Sequence, residues 1–210
     1  MTKKIDPKKI FPQHGEQNCE FILGAHHSRQ CPETQFPEFA FIGASNVGKS
    51  SLVNALTAQK VAIVSNTPGR TRQLNFFLLN NCVMIVDMPG YGFAKASAKH
   101  IASWQRTSFE YLANRKQLRR LFLLVDPTKG LKKPDHEIAN ILNSVAVNFQ
   151  IILTKIDKLN REELIIAEKK IRDETKLWAA LHPEFILTSS KRGQGIDAIQ
   201  NSIVEILSNL

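Results

Sequence analysis

The octapeptide Gly43-Ala-Ser-Asn-Val-Gly-Lys-Ser50 decides how the rest of this sequence is interpreted. It has the spacing Gly-x4-Gly-Lys-Ser, and it lies between the short apolar run 39–42 and the helix-like run 51–56. In that setting the backbone N–H groups of the loop point inward and, with the N-terminus of the following helix, hold phosphate oxygens. The pattern therefore predicts a strand, a phosphate-binding loop (P-loop) and a helix. The predicted contacts in the loop are Gly43, Ala44, Ser45, Asn46, Val47, Gly48, Lys49 and Ser50.

Several side chains near this loop suit a nucleotide that carries Mg²⁺. Lys49 can reach the β- and γ-phosphates, and the Ser50 hydroxyl can bind the ion. Asp87, at the end of the apolar run 82–87, can hold the same ion through a water molecule, and the Gly90 amide can contact the γ-phosphate. We therefore expect the stretch Asp87, Met88, Pro89 and Gly90 to respond to the presence of a γ-phosphate.

Thr154-Lys-Ile-Asp157 favours guanine as the base. The stretch follows the apolar run 149–153 and matches the pattern Asn/Thr-Lys-x-Asp. The Asp157 carboxylate can accept hydrogen bonds from the ring N–H and the exocyclic amine of guanine, a pair that adenine does not offer. The stem of Lys155 can lie along the base, and backbone amides after the run 184–187 can meet the guanine carbonyl. The predicted base contacts are Thr154, Lys155, Ile156, Asp157, Thr188, Ser189 and Ser190.

A polar loop between the P-loop helix and the next strand, residues 61–72, is the predicted mobile switch. A threonine in this loop can complete the coordination of Mg²⁺ when GTP is bound. Thr67 and Thr71 both qualify, and Thr71 is preferred because it lies nearer to the strand that starts at Leu74. The predicted metal ligands are thus Ser50 and Thr71. The predicted nucleotide contacts of this region are Gly69, Arg70, Thr71, Arg72 and Gln73.

Strand-like and helix-like stretches alternate along the chain from Glu38 onward. This alternation predicts an α/β fold with a mostly parallel six-stranded sheet, one antiparallel edge strand, and helices on both faces. The linker Asn80-Asn81 is too short for a crossover, so the runs on either side of it predict an antiparallel hairpin. Residues 20–24 are a candidate for a further short strand. The predicted strands are 39–42, 74–79, 82–87, 120–126, 149–154 and 184–188, and the predicted helices are about 51–56, 97–114, 138–145, 161–181 and 196–207.

The chain of 210 residues, 43% of them hydrophobic, is long enough to bury one sizeable core. Residues 1–19 are predicted to be a flexible basic segment, and residues 20–210 to form the domain. No apolar run approaches the roughly 18 residues needed to cross a membrane, and no apolar core of a signal peptide follows the basic N-terminus. Three cysteines without a CxxC pair indicate reduced thiols in a cytoplasmic protein.

The net charge of +9 bears on the choice of partner. A surface of this sign attracts polyanions, nucleic acid first. The alternative is that each basic cluster is only the solvated face of a helix. The clusters are Lys3/Lys4/Lys8/Lys9, Arg115/Lys116/Arg119/Arg120, Lys129/Lys132/Lys133, Lys169/Lys170 and Lys191/Arg192.

Together these motifs resemble the EngB (YihA/YsxC) family of ribosome-assembly GTP-binding proteins, among the TrmE-Era-EngA-YihA-Septin-like P-loop GTPases. The likeness is carried by residues 43–54, by Thr67-Pro-Gly-Arg-Thr71, and above all by Asp87-Met-Pro-Gly-Tyr-Gly-Phe-Ala94. It implies a three-layer, Ras-like GTPase domain that binds GTP and GDP in the bacterial cytoplasm. It also implies a monomer that acts in assembly of the large ribosomal subunit and is needed for normal cell division and septation. Arg72, where the family usually has glutamine, and Ala44, where arginine is common, depart from the family pattern.

Tyr91 occupies the position at which GTPases with fast intrinsic turnover often carry a glutamine that orients the attacking water. A tyrosine cannot do this, so we expect slow GTP hydrolysis, stimulated by a ribosomal partner or by K⁺, and we assign no catalytic residue. Asn46 lies where potassium-activated GTPases of the same superclass carry an asparagine ligand; alternatively, it only braces the turn of the P-loop. Two other functions are open to test: a metabolic P-loop kinase, and an RNA-binding protein whose nucleotide is structural.

Overall fold

The structure is a computed structural model that describes residues 10–11, 18–62, 73–91 and 107–210. Its strands are β1 Cys19–Ala25, β2 Glu38–Gly43, β3 Leu74–Leu79, β4 Val83–Asp87, β5 Leu118–Val125, β6 Phe149–Leu153 and β7 Ile186–Leu187. Its helices are α1 Lys49–Leu56, α2 at residues 107–114, α3 Lys133–Ser144, α4 Arg161–Glu174 and α5 Ile196–Ser208, with 3-10 turns at Ser28–Gln30 and Ile156–Lys158.

The seven strands form one sheet in the order β1-β3-β4-β2-β5-β6-β7. Strands β4, β2, β5, β6 and β7 are parallel to one another, whereas β3 is antiparallel to both β1 and β4. The α/β fold is therefore confirmed. The candidate strand at residues 20–24 is β1, which adds a seventh strand at the sheet edge beyond the antiparallel strand β3.

The hairpin between β3 and β4 is also confirmed. Asn80 and Asn81 have φ values of 49° and 52°, and the Cys82 N–H donates to the Leu79 carbonyl at 3.0 Å. Two consecutive left-handed residues are typical of the tight turns that match the twist of antiparallel strands, and asparagine tolerates this conformation better than most residues. The turn returns the chain beside β2, so that Asp87 ends at the same edge of the sheet as the P-loop.

Helices cover both faces of the sheet because the central strands are apolar on both sides. Every residue of β2 is buried. Phe39 and Phe41 belong to the core cluster that includes apolar side chains of α1 and α5, and Ala40 and Ile42 belong to the cluster that includes those of α2 and α3. This alternation follows from the two-residue period of a strand, and it fixes the P-loop between the two layers.

One helix ends earlier than predicted. The apolar pattern indicated a helix from Arg161 to about Leu181, but α4 ends at Glu174. The Thr175 hydroxyl donates to the Arg172 carbonyl at 3.1 Å, and the Trp178 indole N–H donates to the Asn140 side chain of α3 at 2.9 Å. Side-chain bonds of this kind compete with helix continuation, so Trp178 packs on α3 from an irregular segment.

The start of β2 carries a charged side chain inside the protein. Glu38 has no exposed surface. Its carboxylate accepts hydrogen bonds from Arg115, at 2.5 to 3.0 Å, and from the Tyr111 hydroxyl at 2.8 Å. Burial and the Glu38 carboxylate raise the pKa of Tyr111 well above its usual value, so the phenol remains a donor. The network ties the end of α2 to the edge of the sheet opposite the P-loop.

Part of the predicted N-terminal segment contacts the core. Ile10 and Phe11 are 3% and 2% exposed, and both belong to the cluster on the α1 and α5 side of the sheet. The predicted switch residues 63–72 and the first part of the predicted helix 97–114 lie outside the described residues. Within the described part of the chain, no helix is both long enough and apolar enough to cross a membrane.

Candidate nucleotide-binding site

The P-loop connects β2 to α1 and requires glycine at two points. Gly48, the N-cap of α1, has φ 108°, a backbone conformation that disfavours a side chain. A Cβ on Gly43 would lie 2.9 Å from Val47 Cγ1 and 3.0 Å from the Leu124 carbonyl oxygen. The tight path between these groups holds the loop at the N-terminus of α1, where backbone N–H groups and the helix dipole favour an anion.

The carbonyl groups of the loop are satisfied by the predicted guanine motif. The Thr154 hydroxyl donates to the Val47 carbonyl at 2.7 Å, and the Lys155 ammonium donates to the Asn46 carbonyl at 2.5 Å. These two carbonyls are therefore satisfied within the protein. The two motifs, more than 100 residues apart in sequence, therefore form one site.

Lys49 and Asp87 are paired in this structure. The Lys49 ammonium donates to Asp87 Oδ1, and the two side chains are 8% and 2% exposed. A buried ion pair of this kind is sensitive to the loss of either partner. Phosphate oxygens beside Lys49 would compete with Asp87 for the Lys49 ammonium. Phosphate binding would therefore weaken the Lys49–Asp87 ion pair.

The stretch that begins at Asp87 continues directly onto the P-loop. The Tyr91 N–H donates to the Gly43 carbonyl at 3.3 Å, and the Tyr91 carbonyl accepts from both the N–H and the hydroxyl of Ser45 at 3.1 Å. A Cβ on Gly90 would lie 3.2 Å from the Gly43 carbonyl oxygen, closer than most side chains tolerate. Gly90 therefore allows the backbone of this stretch to approach the loop.

The side chain of Tyr91 bonds to the first turn of α3. Its hydroxyl donates to Asp135 Oδ1 at 2.5 Å, and both residues are buried. Burial, followed by the adjacent Asp135 carboxylate, raises the pKa of Tyr91 well above its usual value. The neutral phenol is thus committed to a structural hydrogen bond.

Asp157 is held by the loop after β7. The Ser189 hydroxyl donates to Asp157 Oδ1 at 2.6 Å, and this bond, with smaller contributions from Arg192 and Lys191, lowers the pKa of Asp157. The carboxylate is therefore ionised at neutral pH and accepts hydrogen bonds only. The Ile156 N–H donates to the Thr188 carbonyl at 3.1 Å, which brings the two predicted base-binding stretches together.

Most of the predicted contacts that the structure describes lie in one region, whereas Gln73 bonds to a residue of β3. Met88 is buried and donates its N–H to the Phe41 carbonyl at 3.0 Å. The Gln73 side chain donates to the Asn75 side chain at 3.0 Å. The predicted contacts Gly69, Arg70, Thr71 and Arg72 lie outside the described residues. The residues brought together are Gly43, Ala44, Ser45, Asn46, Val47, Gly48, Lys49, Ser50, Asp87, Met88, Pro89, Gly90, Thr154, Lys155, Ile156, Asp157, Thr188, Ser189 and Ser190.

Two buried aspartates near the site were missed by the sequence analysis. Asp126 follows β5 and pairs with Lys155 at 3.0 Å, and Asp135 lies in the first turn of α3 beside Tyr91. The position of Asp126, directly after an apolar strand between the P-loop and the guanine motif, was a usable signal. Asp135 offered none beyond its place at a helix start.

Exposed basic side chains lie at the same end of the sheet as the site. They lie on the loops after β5, β6 and β7 or at the first residue of α3 and of α4. These strands end at the same edge of the sheet as the P-loop because they are parallel to β2. We call this group the basic rim. It consists of Lys129, Lys132, Lys133, Lys158, Arg161, Lys191 and Arg192.

Comparison with known proteins agrees with this geometry. The model of the 50S ribosome-binding GTPase family matches residues 38–155. A probable GTP-binding protein EngB from Rhodospirillum rubrum is 43% identical over 198 residues, which cover 91% of this chain and 86% of that protein.

Solved structures show the same architecture. The crystal structure of a probable GTP-binding protein engB is 27% identical, with a TM-score of 0.64 over 82% of this chain and 100% of that one. Era from Aquifex aeolicus, crystallised with GDP and aluminium fluoride, shares the fold with a TM-score of 0.68 at 23% identity, over 82% of this chain and 57% of that one. The P-loop and guanine motif therefore occur in a Ras-like GTPase domain, and the chain belongs to the EngB family of GTP-binding proteins, within the 50S ribosome-binding GTPases.

Proposed function

We propose that this protein is a switch that alternates between GDP and GTP, hydrolyses GTP slowly, and docks in its GTP-bound state on the large ribosomal subunit during assembly. The observation that carries the proposal is the joining of the P-loop to the guanine motif through Lys155 and Asn46, at 2.5 Å. The basic rim lies at the same edge of the sheet, so a bound polyanion would face the nucleotide.

The base is read by Asp157. Its ionised carboxylate accepts hydrogen bonds from the ring N–H and the exocyclic amine of guanine, and its bond from Ser189 fixes the orientation of the acceptor oxygens. Adenine lacks this pair of donors, so ATP would leave a charged acceptor without partners. The stem of Lys155 lies along the base, and backbone amides of residues 188–190 meet the guanine carbonyl.

The phosphate end of the site offers hard oxygen donors, which suit Mg²⁺. Ser50, in the first turn of α1, and Thr71 would ligate the ion, and Asp87 would hold it through a water molecule. Bound Mg²⁺ neutralises phosphate charge. Lys49, which is paired with Asp87 in this structure, would bind phosphate oxygens instead. The Asp87 carboxylate would then be free to accept hydrogen bonds from the water on Mg²⁺.

Slow hydrolysis follows from the position of Tyr91. Its hydroxyl is engaged by Asp135 at 2.5 Å, so it does not orient a water molecule as glutamine does in faster GTPases. Stimulation by a ribosomal partner or by K⁺ would then be required. The Asn46 side chain is exposed, so its side-chain carbonyl oxygen is accessible to K⁺. The backbone carbonyl of Asn46 is a separate group, and it accepts a hydrogen bond from Lys155.

Ribosomal RNA is the proposed partner of the basic rim. Counterion release from RNA contributes affinity that falls steeply with salt, and the net charge of +9 favours the encounter. A role in normal cell division and septation would be a consequence of ribosome assembly. We further propose that the protein acts in the cytoplasm as a monomer, with residues 20–210 as the GTPase domain and residues 1–19 as a segment that packs Ile10 and Phe11 against its core.

A sedimentation experiment tests the proposal. Tagged protein is run with large ribosomal subunits on sucrose gradients, with GDP or with a non-hydrolysable GTP analogue, at increasing salt. We expect co-sedimentation with the GTP analogue that is weakened by salt and by Lys132→Glu/Lys133→Glu. The matched variant Lys169→Glu/Lys170→Glu, on α4, should bind as wild type does. Binding that is equal in both nucleotide states and persists in molar salt would contradict the proposal.

A further inference from the structure

Asp126 lies at the junction of the two halves of the nucleotide site. It directly follows β5, whose neighbours in the sheet are β2, which leads into the P-loop, and β6, which leads into the guanine motif. Its side chain is only 6% exposed. A buried carboxylate is costly unless it is paired and hydrogen-bonded, so its partners indicate what it does.

Both oxygens of the Asp126 carboxylate are bound. Oδ1 accepts from the Thr128 N–H at 3.2 Å and from the Thr128 hydroxyl at 2.6 Å, and Oδ2 accepts from the Lys155 ammonium at 3.0 Å. Burial alone would raise the pKa of Asp126, but the bonds from Thr128 and Lys155 outweigh it and the pKa is lowered. The group is an ionised acceptor with a single orientation.

The ammonium of Lys155 is therefore held from two sides. Besides Asp126 Oδ2 it contacts the Asn46 carbonyl of the P-loop at 2.5 Å. The stem of Lys155 lies next to Gly48 of the loop: a Cβ added to Gly48 would be 3.6 Å from Lys155 Cε. A lysine has a flexible four-carbon stem and three donors, so a fixed anion on the side opposite the loop restricts it to one path.

We propose that Asp126 is a positioning residue for guanine nucleotides: it holds the Lys155 ammonium on the Asn46 carbonyl, so that the base site and the phosphate loop keep one geometry before the nucleotide binds. The inference rests on the guanine-nucleotide binding proposed above. Lys155 connects the guanine motif to the P-loop, and both GDP and GTP carry the base and the β-phosphate. The affinities for GDP and GTP should therefore depend equally on the Asp126–Lys155 pair. The choice of guanine, made by Asp157, should not depend on it.

Equilibrium binding of mant-labelled GDP and of a mant-labelled non-hydrolysable GTP analogue tests the proposal. Asp126→Ala should weaken both nucleotides by about tenfold or more, through faster dissociation, since one charge-assisted hydrogen bond is lost. Asp126→Asn keeps an acceptor oxygen for Lys155 and should be intermediate. Asp173→Ala removes an exposed aspartate that pairs with Lys176 on the surface, and it should bind as wild type does. In each variant, the preference for guanine over xanthine nucleotides should be unchanged.

A double-mutant cycle with Lys155→Met separates positioning from a general structural effect. If Asp126 acts through Lys155, Asp126→Ala should cost no further affinity once Lys155 is replaced. Additive losses, or an Asp126→Ala variant with wild-type affinity, would overturn the proposal. Thermal unfolding without nucleotide shows whether Asp126→Ala is folded. If it is not folded, the nucleotide affinity of Asp126→Asn is the test. If the wild-type protein binds neither nucleotide, both the proposed function and this proposal are wrong. If the wild-type protein binds nucleotide tightly and Asp126→Ala has the same affinity, only this proposal is wrong.

Discussion

The Tyr91 hydroxyl donates a hydrogen bond of 2.5 Å to the carboxylate of Asp135, 44 residues further along the chain. The other carboxylate oxygen of Asp135 accepts from the Lys132 N–H at 2.6 Å, at the start of α3. The stretch that would sense the γ-phosphate is thereby connected to the segment 129–133, which carries three lysines of the basic rim. The same bond engages the phenol hydroxyl as a donor.

Replacing Tyr91 with phenylalanine tests this structural role. Tyr91→Phe deletes only the hydroxyl, so GTP turnover should remain as slow as in wild type. The free energy of unfolding, measured in urea, should fall by about 1–3 kcal/mol because a buried charged acceptor loses a donor. A fall in turnover of tenfold or more with unchanged stability would mean that the hydroxyl acts on the reaction.

Local patterns in the sequence were sufficient for much of the fold. The P-loop, the hairpin at Asn80-Asn81 and the guanine motif each depend on residues that are adjacent in the chain, and their chemistry is specific to the residue types present. The alternation of strands and helices then placed the loops at one edge of the sheet, because parallel strands share their carboxyl ends.

The contacts that were not predicted join residues far apart in sequence. Glu38 meets Arg115 only because of the register between β2 and β5, and Asp126 meets Lys155 because β5 and β6 are neighbours. No local pattern encodes these pairs. The early end of α4 has a similar cause, since Trp178 bonds to a side chain of α3 rather than continuing the helical pattern.

Loss of Arg115 should destabilise the protein without affecting the nucleotide. Arg115→Ala leaves the fully buried Glu38 carboxylate with the Tyr111 hydroxyl but no cation, and we expect the free energy of unfolding to fall by about 3–5 kcal/mol. Arg119→Ala, a change of an exposed arginine on β5, should cost less than about 0.5 kcal/mol. Urea unfolding checks both values. If Arg115→Ala is as stable as Arg119→Ala, the buried pair does not stabilise the fold.

The metal assignment can be tested at Ser50 and in the switch. Ser50→Ala should weaken GTP binding in Mg²⁺ more than GDP binding in EDTA, because the hydroxyl is the proposed ligand of the ion. Thr71→Ala should weaken the GTP form alone if, as proposed, Thr71 ligates the ion only when a γ-phosphate is present. Titrations with and without Mg²⁺ check both. If Thr67→Ala has this effect and Thr71→Ala does not, Thr67 is the ligand.

Potassium dependence tests the role of Asn46. GTP turnover in KCl should exceed turnover in NaCl at equal ionic strength, because a cation beside the phosphates offsets charge that shifts toward the β–γ bridge. Asn46→Ala should lose this response while still binding GDP, whereas Tyr91→Ala should retain slow turnover. Identical rates in the two salts, with and without ribosomal subunits, would show that Asn46 only braces the loop.

The assignment of this site to guanine nucleotides is tested most directly by asking whether Asp157 recognises the base. Mant-GDP bound to the wild-type protein is competed with GTP, ATP and xanthosine triphosphate, and the same competitors are added to Asp157→Asn with mant-labelled xanthosine diphosphate as the bound ligand. We predict that GTP displaces the label from wild type and that ATP does not. The Asp157→Asn variant should lose GTP affinity by about 100-fold, because two charge-assisted hydrogen bonds are lost, and should bind xanthosine triphosphate in its place. Displacement by ATP from wild type, or unchanged GTP affinity in Asp157→Asn, would contradict the assignment of this site to guanine nucleotides.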